Sequence, residues 1–362
     1  MASFRKKYYF LFLPFSFLYG IAITFRNFFY DKKIIKSYRF NTPIISVGNI
    51  TVGGTGKTPH VEYLINMLKD NYKIVILSRG YKRRTSGFII AQENSTVFEI
   101  GDEPKQIKYK FNDKVIVAVD KNRINAIKTL KQQQIKYDLI ILDDAYQYRK
   151  IKPDISILLI DFNKPIYNDR LLPAGDLREQ QTNKNRADIV IITKCPKDIK
   201  PIQKRIITKE LQLFTYQKIF FTSINYGKIT PVFKYPKNIQ ITNKTTIMLI
   251  TGIANTKTLI EYLTKKTKNI IHKKYDDHYN FKHKDIVNII DEFNKIDTNN
   301  KLIITTEKDA MRLQEFNYNT EKGNLSDIPI FYIPINVIFA DEKEKEFIKI
   351  INNHVKLNKR NS

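Results

Sequence analysis

With 362 residues, 42% of them hydrophobic and 12% aromatic, the chain has ample material for one large domain or two. The balance of 62 Lys and Arg against 36 Asp and Glu gives a formal net charge of +26, which points to an anionic partner: nucleic acid, an acidic membrane surface or a phosphorylated substrate. The positive charges are spread along the chain, so part of the excess is plain composition, and the single cysteine, Cys195, excludes an internal disulfide framework and fits a reducing compartment.

Residues 8–25 carry no charge, with Arg5, Lys6 and Lys7 before them and Arg26, Lys32 and Lys33 after. A signal peptide would need a small-residue cleavage site, and none stands in the expected place. A transmembrane span would be at the short limit, interrupted by Pro14 and Gly20. An interfacial helix, its Phe, Tyr and Leu side chains in the headgroup boundary and its basic flanks on anionic lipid, is the preferred reading. A span comes second and a buried core helix third.

Residues 43–47 form an apolar, β-branched run that predicts a buried strand, and residues 60–69 predict a helix. Between them lie Thr51, Val52, Gly53, Gly54, Thr55, Gly56, Lys57 and Thr58. Strand, glycine-rich turn, Lys-Thr and helix make a phosphate cradle: backbone N–H groups and the helix N-terminus face an anion, the lysine neutralises β/γ-phosphate charge, and the threonine hydroxyl holds Mg²⁺. The strict G-x-x-x-x-G-K-[ST] pattern has glycine where Thr51 stands. The flanking strand and helix favour a nucleotide site over a plain glycine turn.

Further strands are predicted at 73–77, 114–119, 137–142, 155–160 and 188–192, with a helix at 123–132. This alternation predicts a mostly parallel sheet with helices on both faces, where ligands gather at the carboxyl ends of strands. After Lys228 the chain is turn-rich (Pro231, Pro236), and a domain boundary is expected within 225–243. A second set follows, with strands at 246–250 and 301–305 and a helix at 285–293; the polar tail from Asn352 is expected to be loose.

Four polar clusters could carry chemistry. Asp143-Asp144-Ala145-Tyr146-Gln147 ends an apolar strand, where a carboxylate beside a P-loop holds Mg²⁺. Gly101-Asp102-Glu103-Pro104 reads on its own as a surface turn. Leu172 to Glu179 pairs the Arg178 guanidinium with carboxylates. Tyr275 to Phe281 sets His278 beside Asp276 and Asp277, as a metal site, an acid–base group or a hydrogen-bonded turn. No Cys/His pattern of zinc spacing exists.

In order, TVGGTGKTP, SRGY, GDEP, LDDAYQ, LLPAGDLRE, ADIVIITK, DHYNF and TEKDA resemble the tetraacyldisaccharide 4'-kinase family, the membrane-bound lipid A kinases of Gram-negative bacteria, from about Pro43 to Leu313. The resemblance implies ATP- and Mg²⁺-dependent phosphorylation of the 4'-hydroxyl of a tetraacyldisaccharide 1-phosphate, an anionic glycolipid, at the cytoplasmic face of the inner membrane, with no obligate protein partner. It implies an α/β fold of two Rossmann-like α/β/α domains, a P-loop NTPase-type domain in the N-terminal half, and the site in the cleft between them. The expected divisions are a membrane-associating helix within 1–40, a kinase domain at 41–228 and a smaller domain at 229–350. By the same resemblance Lys57 sits on the phosphates, Asp102 is the catalytic aspartate with His278 as its partner, and Thr58, Asp144, Gln147 and Glu179 are metal-side groups. Arg79, Tyr81, Arg123 and Arg178 are contacts to ATP or to the lipid's phosphate. Two residues depart from the family's DDGFQH segment: Ala145 replaces glycine and Tyr148 replaces histidine.

A nucleic-acid-associated P-loop ATPase or a GTPase-like regulator is the alternative. It would want a nucleic-acid module, and none is visible in the sequence. A GTPase would also want an N-K-x-D base reader, which Thr193-Lys194 and Thr306-Glu307-Lys308-Asp309 imitate only in part.

Overall fold

The computed structural model describes residues 8–235 and 239–360, with side chains to 356; Arg5, Lys6, Lys7 and Pro236 lie outside this set. Helix α1 (Tyr9–Asp31) precedes a run of short, mostly buried strands: β1 (Ile44–Gly48), β2 (Ile74–Ser78), β3 (Ile89–Ile90), β4 (Val115–Val119), β5 (Leu139–Asp143), β6 (Ile155–Asp161), β7 (Ile189–Thr193) and β8 (Lys218–Tyr226), of which β3 is half-buried and β8 emerges at its ends. Between them run α2 (Lys57–Leu68), α3 (Val97–Ile100), α4 (Asp102–Phe111), α5 (Arg123–Gln132) and α6 (Pro201–Leu211). The second unit contains β9 (Thr230–Pro231), β10 (Thr246–Thr251), α7 (Lys257–Thr264), β11 (Ile270–Lys274), α8 (His283–Asn294), β12 (Lys301–Thr306), α9 (Glu307–Leu313), the hairpin β13 (Asn319–Thr320) and β14 (Gly323–Asn324), and β15 (Ile330–Ile333). The chain closes with β16 (Ile335–Phe339) and α10 (Glu344–Arg360).

The large sheet has the order β16-β8-β7-β6-β1-β5-β2-β4-β3, parallel throughout except at its two edge strands. Ile and Val on both faces make these strands nearly continuous apolar runs, because helices cover both sides. One face packs α2, α4 and α10 through Val61, Leu64, Ile107, Phe347 and Ile351; α5 covers the other through Ala126, Ile127 and Leu130. The smaller sheet, β11-β10-β12-β15-β9, lies between α7 (Leu259, Leu263) and α8 (Ile286, Ile290, Phe293). With β1 at the centre of the large sheet, the P-loop, the 79–81 turn after β2 and Asp143-Asp144 after β5 all leave from strand carboxyl ends.

Three local expectations are corrected. Asp102 opens helix α4 rather than sitting in a surface turn. Residues 352–360, expected to be loose, are helical, and Phe347, Ile351 and Val355 bury one narrow stripe against the large sheet's core. Strand β16 returns to the large sheet, antiparallel to β8, so residues from 335 onward join the first unit rather than the C-terminal one expected to reach 350.

Candidate active site

The P-loop leaves β1 and enters α2 with Gly53 and Gly56 at φ +99° and +87°, a region that side chains disfavour. A Cβ on Gly53 or Gly54 would meet nothing within 4 Å, so the loop's outer face is open to a ligand. Its inner side is braced. Thr193 Oγ1 donates to the Thr55 carbonyl at 2.8 Å, Asn49 Nδ2 to Thr55 Oγ1 at 2.9 Å, and Lys194 Nζ to the Gly54 carbonyl and, at 2.6 Å, to Asp161. The 169–178 segment clasps the other side, with Val52 N donating to the Asp176 carbonyl at 2.8 Å and Arg178 N to that of Ile50 at 2.7 Å.

His60 holds the base of the loop. Its Nδ1 lies 2.7 Å from the Gly56 carbonyl and so carries hydrogen, which leaves Nε2, 3.0 Å from Thr222 Oγ1, as an acceptor. Burial pushes its pKa down to about 4, against the opposing pull of the Gly56 bond. The unfolded chain takes up this proton near pH 6.5, the folded one only near 4. The stability is therefore complete above pH 6.5 and is lost as pH falls towards 4, by on the order of 3 kcal/mol. Denaturant midpoints between pH 7 and 4.5 should fall less steeply in His60→Gln; equal slopes would contradict the assignment.

Lys57 Nζ stands 3.7 Å from Asp144 Oδ1, and Arg178 Nη1 stands 3.4 Å from Asp144 Oδ2. Burial raises the Asp144 carboxyl, but the charges of Lys57, Arg178 and Arg123 outweigh it and hold it below the usual range. Asp143 is fully buried and neither of its oxygens has a hydrogen-bond partner, nor has Asp144 Oδ1. Burial, then the charges of Glu103 and Asp144, push Asp143 up to about 7. Buried carboxylate oxygens that accept no hydrogen bond, at the end of the strand next to β1, are oxygen donors of the kind a hard cation takes. Gln147 Nε2 donates to the Asn49 carbonyl at 2.6 Å, which anchors its amide beside the loop. Among the described residues no three His, Cys, Asp or Glu side chains cluster as a metal site, so a cation here draws on hydroxyl and amide oxygens too. Tyr148 supports a cation of another kind: Arg123 lies 4.8 Å over its ring and bonds the Asp143 and Asp144 carbonyls at 3.3 Å each.

Across the site, Asp102 at the start of α4 meets His278 in the loop between β11 and α8. His278 Nδ1 lies 2.8 Å from Asp102 Oδ2, Arg312 Nη2 bonds the same oxygen, and Glu103 N donates to Oδ1 at 2.9 Å. Burial would raise Asp102, but the His278 bond and the charges of Lys308 and Arg312 hold it far below the carboxylate range. Lys308 Nζ bonds Glu103, and the charges of both Glu103 and Lys308 are felt at Asp143. One electrostatic network thus runs from Lys57 to His278. Tyr81, largely exposed, sets its ring 5.3 Å from that of His278, and Arg79, also exposed, lies near Arg123.

The sequence profile described as tetraacyldisaccharide-1-P 4'-kinase matches residues 8–356. The chain belongs to that kinase family. The tetraacyldisaccharide 4'-kinase of Bacteroides thetaiotaomicron is 43% identical over 361 residues, covering 96% of this chain and 94% of the relative. That of Flavobacterium johnsoniae is 40% identical over 342 residues, covering 93% and 95%. The crystal structure of LpxK from Aquifex aeolicus in complex with ATP matches with a TM-score of 0.74 at 28% identity, over 96% of this chain and 99% of its own.

Glu179, expected on the metal side of the kinase, has both carboxylate oxygens on arginines. It is fully buried, with Oε1 2.6 Å from Arg26 of α1 and Oε2 on Arg186. Oε1 fastens α1 to the body, and Oε2 is held within the body by Arg186. The same helix docks by a polar stripe: Ser16 Oγ donates to the Leu171 carbonyl at 3.0 Å, Tyr19 Oη to that of Arg178 at 2.8 Å, and Asn27 Nδ2 to Asn183 Oδ1 at 3.1 Å. Phe10, Phe15, Phe17, Leu18 and Phe25 are turned outward, each more than half exposed. By length and composition α1 could cross a membrane, yet it is tied along most of its length to the segment that clasps the P-loop. Removing Glu179 strands two arginines, and because both are partly exposed the expected cost is about 2 kcal/mol. In Glu179→Ala, amide exchange should quicken together in α1 and residues 178–186. Quickening confined to 178–186 would contradict the fastening role.

The sequence names Glu103, Lys308 and Asp143 only as members of clusters, without a role of their own, and does not single out Arg312. Asp143 was legible as the neighbour of Asp144. Nothing local marks Arg312, which meets Asp102 across 210 positions.

Proposed function

We propose that the kinase transfers the γ-phosphoryl group of ATP to the 4'-hydroxyl of a tetraacylated disaccharide 1-phosphate, in lipid A biosynthesis, at the cytoplasmic face of the inner membrane. The observation that carries this reading is the facing pair of half-sites: Lys57 and Asp144 at an open P-loop, and the buried Asp102–His278 pair coupled to them through Glu103 and Lys308. In the reaction the hydroxyl oxygen attacks the γ-phosphorus, the bond to the β–γ bridging oxygen breaks, and ADP leaves with that electron pair. The hydroxyl proton passes to the Asp102–His278 pair. Asp102 alone is a weak base, since its neighbours favour the anion; the imidazole beside it supplies the missing basicity. Lys57 bears on the transferring phosphate, where catalysis is mostly positioning and charge stabilisation. Thr58, Asp144 and Gln147 are the groups to hold Mg²⁺, which when bound neutralises charge on the phosphate oxygens. Arg178, Arg123, Arg79 and Tyr81 surround the cleft as contacts for ATP or the lipid's own phosphate.

Helix α1 lies on the bilayer rather than across it. Its polar stripe is committed to the protein, its aromatic face is free, and Lys32 and Lys33 follow its C-terminus as basic groups for anionic lipid. Turnover of ATP in detergent should depend on added disaccharide lipid. Rapid lipid-independent turnover, stimulated instead by nucleic acid, would favour the ATPase alternative.

A further inference from the structure

We propose that Arg312 is the positioning residue of the acceptor half-site, holding Asp102 and His278 as one unit of fixed tautomer from the far side of the cleft. The inference rests on the reading of Asp102–His278 as the proton-accepting pair. Arg312 belongs to α9, and its side chain is 6% exposed. One arm of its guanidinium bonds Asp102 Oδ2 and passes 3.1 Å from His278 Nδ1. The other arm bonds Asp309 Oδ1 at 2.7 Å and reaches the Gly252 carbonyl at 3.4 Å. Gly252 N donates to Asp309 Oδ2 at 2.9 Å, and the Gly252 carbonyl accepts from His278 N at 3.0 Å. Arginine, aspartate, glycine and histidine therefore close a ring. It fixes the loop at His278, whose φ of +57° lies in the left-handed region uncommon for side-chain-bearing residues.

This ring settles which nitrogen of His278 carries hydrogen. Nδ1 sits 2.8 Å from a carboxylate oxygen, where two lone pairs would repel, while the guanidinium has only donors to offer. Both Nδ1–H and the guanidinium must then aim at Asp102 Oδ2. In the neutral imidazole the lone pair is therefore on Nε2, which no hydrogen bond from the described residues reaches. The groups facing Asp102 are His278 from the 275–281 loop, Lys308, Asp309 and Arg312 from α9, and Glu103 on its own helix; Tyr81 packs on His278. Loss of Arg312 would leave Asp102 with one hydrogen-bonding side chain and a carboxyl shifted towards the ordinary range.

The test measures kcat against pH at saturating ATP for full-length Arg312→Met and Arg312→Lys, with Asp102→Asn alongside. Arg312→Met should lower kcat roughly tenfold or more, leave KM for ATP within about threefold, and move the acidic limb to higher pH. Arg312→Lys keeps the charge without the fork, so its limb should stay near that of the parent while kcat falls several-fold. A folded Arg312→Met with the parent's kcat and limb would overturn the proposal. Should Arg312→Met fail to fold, Arg312→Lys decides: parental kcat overturns it. If Asp102→Asn is inactive while both Arg312 variants behave as the parent, only this inference fails. If Asp102→Asn is active, the reading beneath it fails as well.

Discussion

Lys57→Ala is expected to lower turnover about 100- to 1,000-fold, or about 3–4 kcal/mol, by analogy with the loss of other preorganised transition-state donors. Lys57 opens α2 at the left-handed Gly56, and its ammonium is held near Asp144 rather than ranging through solvent. Its charge is in place before the γ-phosphoryl group develops its own, so the loss should fall mainly on kcat. The fold should survive. Lys57 contributes no core packing, and the braces on the loop come from Thr193, Lys194, Asn49 and His60. Thermal melting should match the parent, and single-turnover phosphate transfer should show the deficit. A folded variant with near-parental turnover would remove the P-loop from the catalytic account.

Asp102→Ala and His278→Ala are each expected to reduce turnover by about 100-fold or more, with little effect on ATP binding. The double variant should then be scarcely worse than the poorer single one. The reason is geometric: Nδ1 and Oδ2 are 2.8 Å apart, so either residue loses its function when the other is gone. Multiplicative losses would mean two independent roles. Singles that keep most of their turnover would reduce the pair to a structural clasp between α4 and the 275–281 loop.

Much of this arrangement is readable before any coordinates. Strands β1, β2 and β4 to β7 are Ile-, Leu- and Val-rich runs of five to seven residues, and a two-sided parallel sheet buries nearly every position of such a run. The P-loop, Asp144 and Gln147 follow directly, being local to those strand ends. Helix α4 was hidden because its composition is charged. Its signals were Asp102 and Glu103 in the first turn and Lys108 and Lys110 in the last, which suit the helix dipole. Helix α10 was hidden by the same polarity, its stripe being one residue wide. In α1 the apolar run drew the eye, while Ser16, Gly20 and Asn27, the three positions it buries, marked the docking face at helical spacing. Glu179 and Arg312 were out of reach: each takes its role from a partner more than 150 positions away, which spacing cannot reveal.

The most direct measurement is transfer of labelled γ-phosphate from ATP to a defined tetraacyldisaccharide 1-phosphate in detergent, with the product's phosphorylated position mapped and single-stranded nucleic acid and water as competing acceptors. The account predicts label on the 4'-oxygen of the lipid, little release to water without lipid, and loss of transfer in Lys57→Ala and Asp102→Ala alike. Label appearing as free phosphate at the same rate with or without lipid, or rising with nucleic acid instead, would contradict it.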